Sequence, residues 1–236
     1  MTFDFREGRI LAVVAHPDDA ELLCAGTLAR AKADGAPVGI CVLCRGDKGQ
    51  PAKSVAHLAA VRKRETAAAA ELLGAGVYFA GFADGTLADH PRIRKVLTQI
   101  YREFRPTLVL AHSAEDYHPD HRAASQLAEA ASWFCASSGH KSPSPALELP
   151  PALWRMDTVG MSRFQPGFYI DISAYAELKE QMLACHRSQL SRAKDANFTA
   201  LADLMRLQYQ TRGAQAGVAA AEAFQIHDAL QRTRAW

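Results

Sequence analysis

Arg9-Ile10-Leu11-Ala12-Val13-Val14-Ala15-His16-Pro17-Asp18-Asp19-Ala20-Glu21 sets an unbroken apolar run against a histidine, a proline and two adjacent carboxylates. A short run without polar alternation reads as a strand buried on both faces, of the kind found in a parallel sheet sandwiched by helices. The polar residues then fall at the strand's carboxyl end, where open α/β sheets bind their ligands. A second segment repeats the pattern, because Leu108-Val109-Leu110-Ala111 is followed by Tyr117-His118-Pro119-Asp120-His121. Together the two segments supply imidazoles and carboxylates for a divalent metal, with acid and base groups left over. A metal hydrolase needs that inventory: three protein ligands, an open position for water, and a carboxylate to take the water's proton.

Strands and helices alternate outward from this pair. Leu22 to Ala33 reads as a helix stopped by Asp34-Gly35, Pro37 to Cys44 as a strand, and Val55 to Leu73 as a long helix ended by Gly74. Val77 to Ala80 is a short strand, and Ile93, Val96, Leu97 and Ile100 lie at helical spacing within Pro91 to Phe104, before the strand Thr107 to Ala111. The expected class is α/β, a Rossmann-like, mostly parallel sheet flanked by helices, with a smaller C-terminal portion of strands and helices. That portion has strands at Ala152 to Val159 and Phe168 to Ile172, helices from Ala174 to Gln189 and near Ala196 to Tyr209, and Glu222-Ala223-Phe224 packing a terminal helix. Gly139 to Pro151 is rich in Ser and Pro and reads as an exposed loop, a candidate lid. One domain is expected over residues 1–236, with a Rossmann-like core at 1–138, the loop at 139–151, and 152–236 completing the pocket.

A net charge of +2 with scattered basic residues points away from nucleic acid and from a polybasic membrane anchor, and toward a small-molecule substrate. The N-terminus lacks the regions of a signal peptide, and no apolar stretch approaches the roughly 20 residues of a membrane span, so a cytoplasmic location is expected. Five cysteines in no scaffold pattern fit free thiols. Cys41 and Cys44 form a C-x-x-C, but lie in an apolar strand without a second pair, which favours core packing.

Pro17 restricts the chain after His16, and the turn sends Asp18 and Asp19 in different directions, so that one can ligate while the other faces water. In the second motif, one imidazole as ligand and one as acid satisfies both three-coordinate binding and protonation of a leaving amine. Asp120 there can hold the acid histidine protonated, since a nearby carboxylate favours imidazolium. His112, at a strand end, is an alternative ligand. His57, His90, His140 and His227 lack such surroundings and read as surface residues. Asp47 and Asp84 sit in glycine-containing turns, where Asp is favoured for local hydrogen bonding, and Asp47 is also placed to touch a substrate hydroxyl.

H-P-D-D-x-E after the first strand and D-Y-H-P-D-H-R-A after the later one resemble the PIG-L/LmbE-like zinc-dependent N-deacetylases. Gly26-Thr27-Leu28, Arg45 to Gly49, Arg62 to Glu65, Asp84 to Leu87, Met156-Asp157-Thr158, Tyr169 to Ser173 and His186 to Gln189 extend the resemblance over most of the chain. The resemblance implies His16, Asp19 and His121 as metal ligands and Asp18 as general base. It also implies His118 as an imidazolium toward oxyanion and amine, Asp120 as its orienting group, and Arg62 as an active-site arginine. It implies Zn²⁺, with Fe²⁺ or another divalent ion as a substitute in the cell, and hydrolysis of an acetamide on an N-acetylglucosamine-type sugar or conjugate. Family members form oligomers, so a homo-oligomer is compatible with it. Ala25 where the family often has glycine, and Trp154-Arg155 where aromatic pairs are common, depart from its pattern. Trp154, Arg155, Asp157 and Tyr169 are further pocket candidates.

Three other readings compete. An amidase on a related conjugate would share the chemistry. Two histidines and a carboxylate also make the facial triad of non-haem Fe(II) oxygenases, although the extra acid and base groups favour hydrolysis. A metal-containing sugar-binding protein without turnover is the third, and intact Asp18 and His118 speak against it. A dehydrogenase is disfavoured because no G-x-G-x-x-G follows the first strand.

Overall fold

β1 (Ile10–Val14) is buried at every position and sends its side chains alternately to two cores. Ile10, Ala12 and Val14 join one core, and Leu11, Val13 and Ala15 the other, which is the period-2 geometry of a strand covered on both faces. The computed structural model describes residues 4–194 and 200–229. Around β1 come α1 (Asp19–Leu23), α2 (Ala25–Ala33), β2 (Val38–Cys44), α3 (Leu58–Leu73), β3 (Gly76–Phe82), α4 (Pro91–Phe104), β4 (Leu108–Ala111) and α5 (Pro119–Phe134). They are followed by β5 (Ala152–Met156), β6 (Phe168–Asp171), α6 (Ala176–Ala184), α7 (Arg187–Leu190), α8 (Leu201–Ala216) and β7 (Ala221–Ile226).

The seven strands form one sheet in the order β3-β2-β1-β4-β5-β7-β6, confirming the α/β class. β3 to β5 in that order run parallel, while β7 is antiparallel to both β5 and β6. The chain leaves β1 toward β2 on one side, and β4 pairs on the other. β1 and β4 therefore flank the topological switch point, and both His-Pro motifs follow these two strands.

Three differences from the sequence reading have physical causes. The first expected helix is broken at Cys24, whose φ of −147° and ψ of 7° end α1 and begin α2. The new N-terminus is satisfied from far along the chain, since Glu222 accepts the Gly26 and Thr27 N–H groups at 2.9 and 2.7 Å. The Glu222 charge is matched by Lys179 Nζ at 2.6 Å, both side chains being buried. Second, Glu222-Ala223-Phe224 is not part of a helix but lies in β7, where strand pairing overrides the helix preference of an alanine-rich run. Third, the helix expected over Ala174 to Gln189 stops at Ala184 and resumes as α7, and that near Ala196 to Tyr209 is α8, with 195–199 outside the described residues. The 139–151 loop packs on α4, with Ser144 hydrogen-bonded to Gln99 and Arg102, and its residues line no part of the cleft described below. It is not placed as a lid.

Candidate active site

His16 stands two residues after the end of β1, and the next residues turn sharply into α1. Asp18 takes a φ of 103°, an uncommon and strained backbone state for a residue with a side chain. That turn brings Asp19 back beneath His16, whose backbone N–H donates to Asp19 Oδ2 at 2.6 Å. His121 lies in the first turn of α5, which starts at Pro119, a residue suited to a first helical position.

These three side chains converge. His16 Nδ1 lies 3.3 Å from His121 Nε2 and 3.5 Å from Asp19 Oδ2, and His121 Nε2 lies 3.4 Å from Asp19 Oδ1. Ligands of one tetrahedral ion with bonds of about 2.0–2.1 Å sit roughly 3.3 Å apart, so these side chains could hold a metal, as could the overlapping group of His16, His118 and His121. The outer nitrogen of each histidine faces a carboxylate. His16 Nε2 is 3.1 Å from Asp120 Oδ2, and His121 Nδ1 is 3.0 Å from Asp116 Oδ1. Such outer partners fix the ring orientation of metal-ligating histidines. Burial opposes the His16 imidazolium, but Asp120 and Asp19 outweigh it and hold its pKa up at about 10. Burial opposes the Asp19 charge as well, yet His121, His112 and His16 keep it well below the usual carboxylate range.

Asp116 opens the D-Y-H-P-D-H-R-A segment but was missed as a site residue, because nothing in the sequence ties it to His121. Asp120 differs from expectation. Its carboxylate does not reach His118 but accepts from His16 and from the Gly85 and Leu87 N–H groups, at 2.7 Å for Gly85 and 3.3 Å for Leu87. The Asp84-Gly85-Thr86-Leu87 turn thus serves as a backbone cradle for Asp120. His118 instead accepts the Asp120 backbone N–H at Nδ1, 3.2 Å away, capping its own helix. Burial and the neighbouring His121 and His16 lower its pKa. A ring that accepts at Nδ1 carries its proton on Nε2.

Asp18 Oδ2 makes a buried ion pair with Arg62 Nη2 at 3.0 Å, and burial is the main cause that pushes its pKa up, Arg62 opposing. Arg62 also donates to the carbonyls of Pro17 and Gly46, while Arg64 is exposed. Gly46 is required where it stands: its φ is +73°, and a Cβ there would lie 2.7 Å from the Arg62 Cδ. His112 is wholly buried, stacks on His121 at 4.1 Å between centroids, and accepts the Ala15 N–H at Nε2, 3.0 Å away. That nitrogen also lies 3.3 Å from Asp19 Oδ2, so Asp19, His112 and His121 form a second group that could hold a metal.

A cleft of about 430 Å³ opens over these residues. His16, Asp18, Asp19 and Arg62 line it from one motif and α3, and His118, Asp120 and His121 from the other. Lys48, Tyr117, Val159 and Gln189 form parts of its wall, and Tyr117 is 67% exposed. Trp154, Arg155, Asp157 and Tyr169 are elsewhere. Trp154 packs against Phe5 and Phe168, Arg155 bonds Ser125 and Glu129, Asp157 pairs with Arg212, and Tyr169 reaches Gln215. Cys41 and Cys44 are buried free thiols, as core packing requires. Among the described residues, no helix is long and apolar enough to cross a membrane.

The family described as PIG-L, GlcNAc-PI de-N-acetylase, matches residues 11–132, just over half of the chain and both His-Pro motifs. The chain belongs to the PIG-L family. Among its PIG-L relatives, a 1D-myo-inositol 2-acetamido-2-deoxy-alpha-D-glucopyranoside deacetylase from Mycobacteroides abscessus is 29% identical, covering 84% of this chain and 88% of its own. An N,N'-diacetylchitobiose deacetylase structure from Pyrococcus horikoshii superposes with a TM-score of 0.83 at 26% identity, over 94% of this chain and 85% of that one. A 4-oxalmesaconate hydratase from Pseudomonas putida is also 29% identical, over 76% of this chain and 73% of its own. The PIG-L fold therefore carries more than one water-using reaction among proteins similar to this one.

Proposed function

We propose that this PIG-L chain is a zinc-dependent N-deacetylase that releases acetate and a free amine from an N-acetylglucosamine-type sugar or conjugate. The observation that carries this reading is the junction, in one cleft, of the His16–Asp19–His121 donor set with the Asp18–Arg62 pair and His118. His16, Asp19 and His121 would hold the ion. A bound divalent ion supplies positive charge that polarises an acyl oxygen and lowers the pKa of water toward about 7.

The chain's own groups then do the proton work. Asp18, its basicity raised by burial, takes the proton from the attacking water as the new C–O bond forms. The carbonyl electron pair moves onto oxygen, where His118 Nε2–H donates a hydrogen bond. Asp18 returns its proton to the amide nitrogen, the C–N bond breaks, and acetate and amine leave. Arg62 holds the Asp18 carboxylate in place through its 3.0 Å contact.

The test is amine release from N-acetylglucosamine conjugates and chitin oligosaccharides by zinc-loaded protein. Asp18→Asn is expected to lose about 10²–10⁴-fold in turnover while binding zinc in unchanged stoichiometry. Unchanged turnover in that variant would refute the assignment of the base. A hydratase is the second reading, favoured by the Pseudomonas putida relative. It predicts loss of conjugated-alkene absorbance with 4-oxalmesaconate and no amine release from any conjugate.

A further inference from the structure

α7 is four residues long, yet with its N-cap it touches three parts of the chain that carry the Asp18–Arg62 pair. His186 Nε2 lies 3.4 Å from Glu21 Oε1, both side chains wholly buried, and Glu21 stands one helical turn after Asp18 on α1. Ser188 donates twice to one carboxylate, from its backbone N–H to Glu65 Oε1 at 2.8 Å and from Oγ to Glu65 Oε2 at 2.6 Å. Glu65 lies three residues after Arg62, on the same face of α3. Gln189 Nε2 donates to the Gly49 carbonyl at 2.9 Å. Gly49 is wedged between that side chain and the arginine, since a Cβ there would lie 2.9 Å from Arg62 Nη1 and 3.0 Å from Gln189 Oε1.

We propose that α7 is a clamp that sets the separation of Arg62 and Asp18, with Glu65, Ser188 and His186 as positioning residues. It rests on the reading of Asp18 as the base. Arg62 reaches across from α3 to the turn after β1, and besides pairing with Asp18 it donates to two main-chain carbonyls, of Pro17 and Gly46. Those carbonyls accept from any nearby cation, so they do not fix where α3 stands along its own axis. The two charge-assisted hydrogen bonds from Ser188 to Glu65 do fix it, because both donors come from one residue and converge on one planar acceptor. In the same segment His186 Nε2 faces Glu21 Oε1 of α1 at 3.4 Å without a hydrogen bond, so the carriers of base and arginine pack against a common element. A displacement of about 1 Å at a reacting group can cost of the order of 100-fold in rate, which makes such registration consequential.

The experiment is a double-mutant cycle on Glu65→Ala and Arg62→Ala in the zinc-loaded full chain, read as kcat and KM for amine release, with bound zinc measured in each variant. Glu65→Ala is expected to lower kcat of the order of 10- to 100-fold at unchanged KM and unchanged zinc, and Glu65→Gln to recover most of it. The double variant is expected to be no slower than Arg62→Ala alone, because a residue that acts through Arg62 has nothing left to position. Multiplying losses, or a Glu65→Ala loss that merely tracks the folded fraction, would overturn the clamp. If Glu65→Ala does not fold, Ser188→Ala, which deletes only the hydroxyl, replaces it in the cycle. Crystal structures of Glu65→Ala or Ser188→Ala give the activity-independent arm, where the Arg62–Asp18 contact should open beyond hydrogen-bond distance and a retained contact near 3 Å would refute the proposal. Wild-type protein that releases no amine defeats the deacetylase reading, and the structural arm then still decides the clamp.

Discussion

Asp116 shows how much of a candidate metal site lies outside the residues proposed to hold the ion. Its Oδ1 stands 3.0 Å from the His121 nitrogen that faces away from the donor set, and its own carboxylate is buried. It anchors the ring that Asp19 and His16 meet, and Asp120 does the same for His16. Asp116→Ala is therefore expected to weaken zinc binding by about 10–100-fold with the ligands themselves intact, measured by competition against a chelator of known affinity. An affinity equal to wild type would show that His121 holds its orientation by stacking on His112 alone. At this scale the convergence of the two motifs was legible in the sequence, and the hydrogen-bond partners of the second only partly. The residue types of the second motif are right, but its hydrogen-bond partners depend on which strand and turn lie beside it. A carboxylate adjacent in sequence to His118 turns toward His16 and the Gly85 turn because those donors converge on it in space.

Among the elements, the break between α1 and α2 depends on residues nearly two hundred positions away. Glu222 on β7 receives the N-terminus of α2, and Lys179 on α6 neutralises it while also donating to the Leu22 carbonyl at 2.9 Å. Removing the cation leaves a buried carboxylate with only backbone donors. Lys179→Met is expected to cost about 3–5 kcal/mol, read as a fall in the urea midpoint without a change in slope. A loss under 1 kcal/mol would mean that the two N–H groups suffice for the charge. The strands β1, β2 and β4 were legible from their continuous apolar runs, because burial on both faces leaves no room for polar alternation. β7 was not, since its Ala-Glu-Ala-Phe sequence favours a helix until Lys179 and the β5 and β6 edges supply partners.

For the whole molecule, the site joins two motifs about a hundred residues apart across the switch between β1 and β4, with α3 and α7 closing its other side. An ion bound there stabilises the folded chain only, because the unfolded chain does not bring His16, Asp19 and His121 together. At free zinc 100 times the dissociation constant the gain is about 2.7 kcal/mol, which for a chain of this size raises the melting temperature by roughly 5–10 °C. Stripping with chelator and restoring zinc in a calorimeter checks this. A melting temperature indifferent to zinc would remove the ion from this donor set.

The sequence by itself determined the α/β class and the two strand-end motifs, whose His16, Asp18, Asp19, His118, Asp120 and His121 all line the cleft. These follow from local patterns, since apolar runs fix buried strands and a proline after histidine fixes the turn. Tertiary structure alone decided that Arg62 and not Arg64 meets Asp18, that Asp116 and Asp120 back the two histidines, and that α7 touches the carriers of the Asp18–Arg62 pair. Those relations join side chains from distant segments. Their distances are set by strand order and helix packing, which no local pattern encodes.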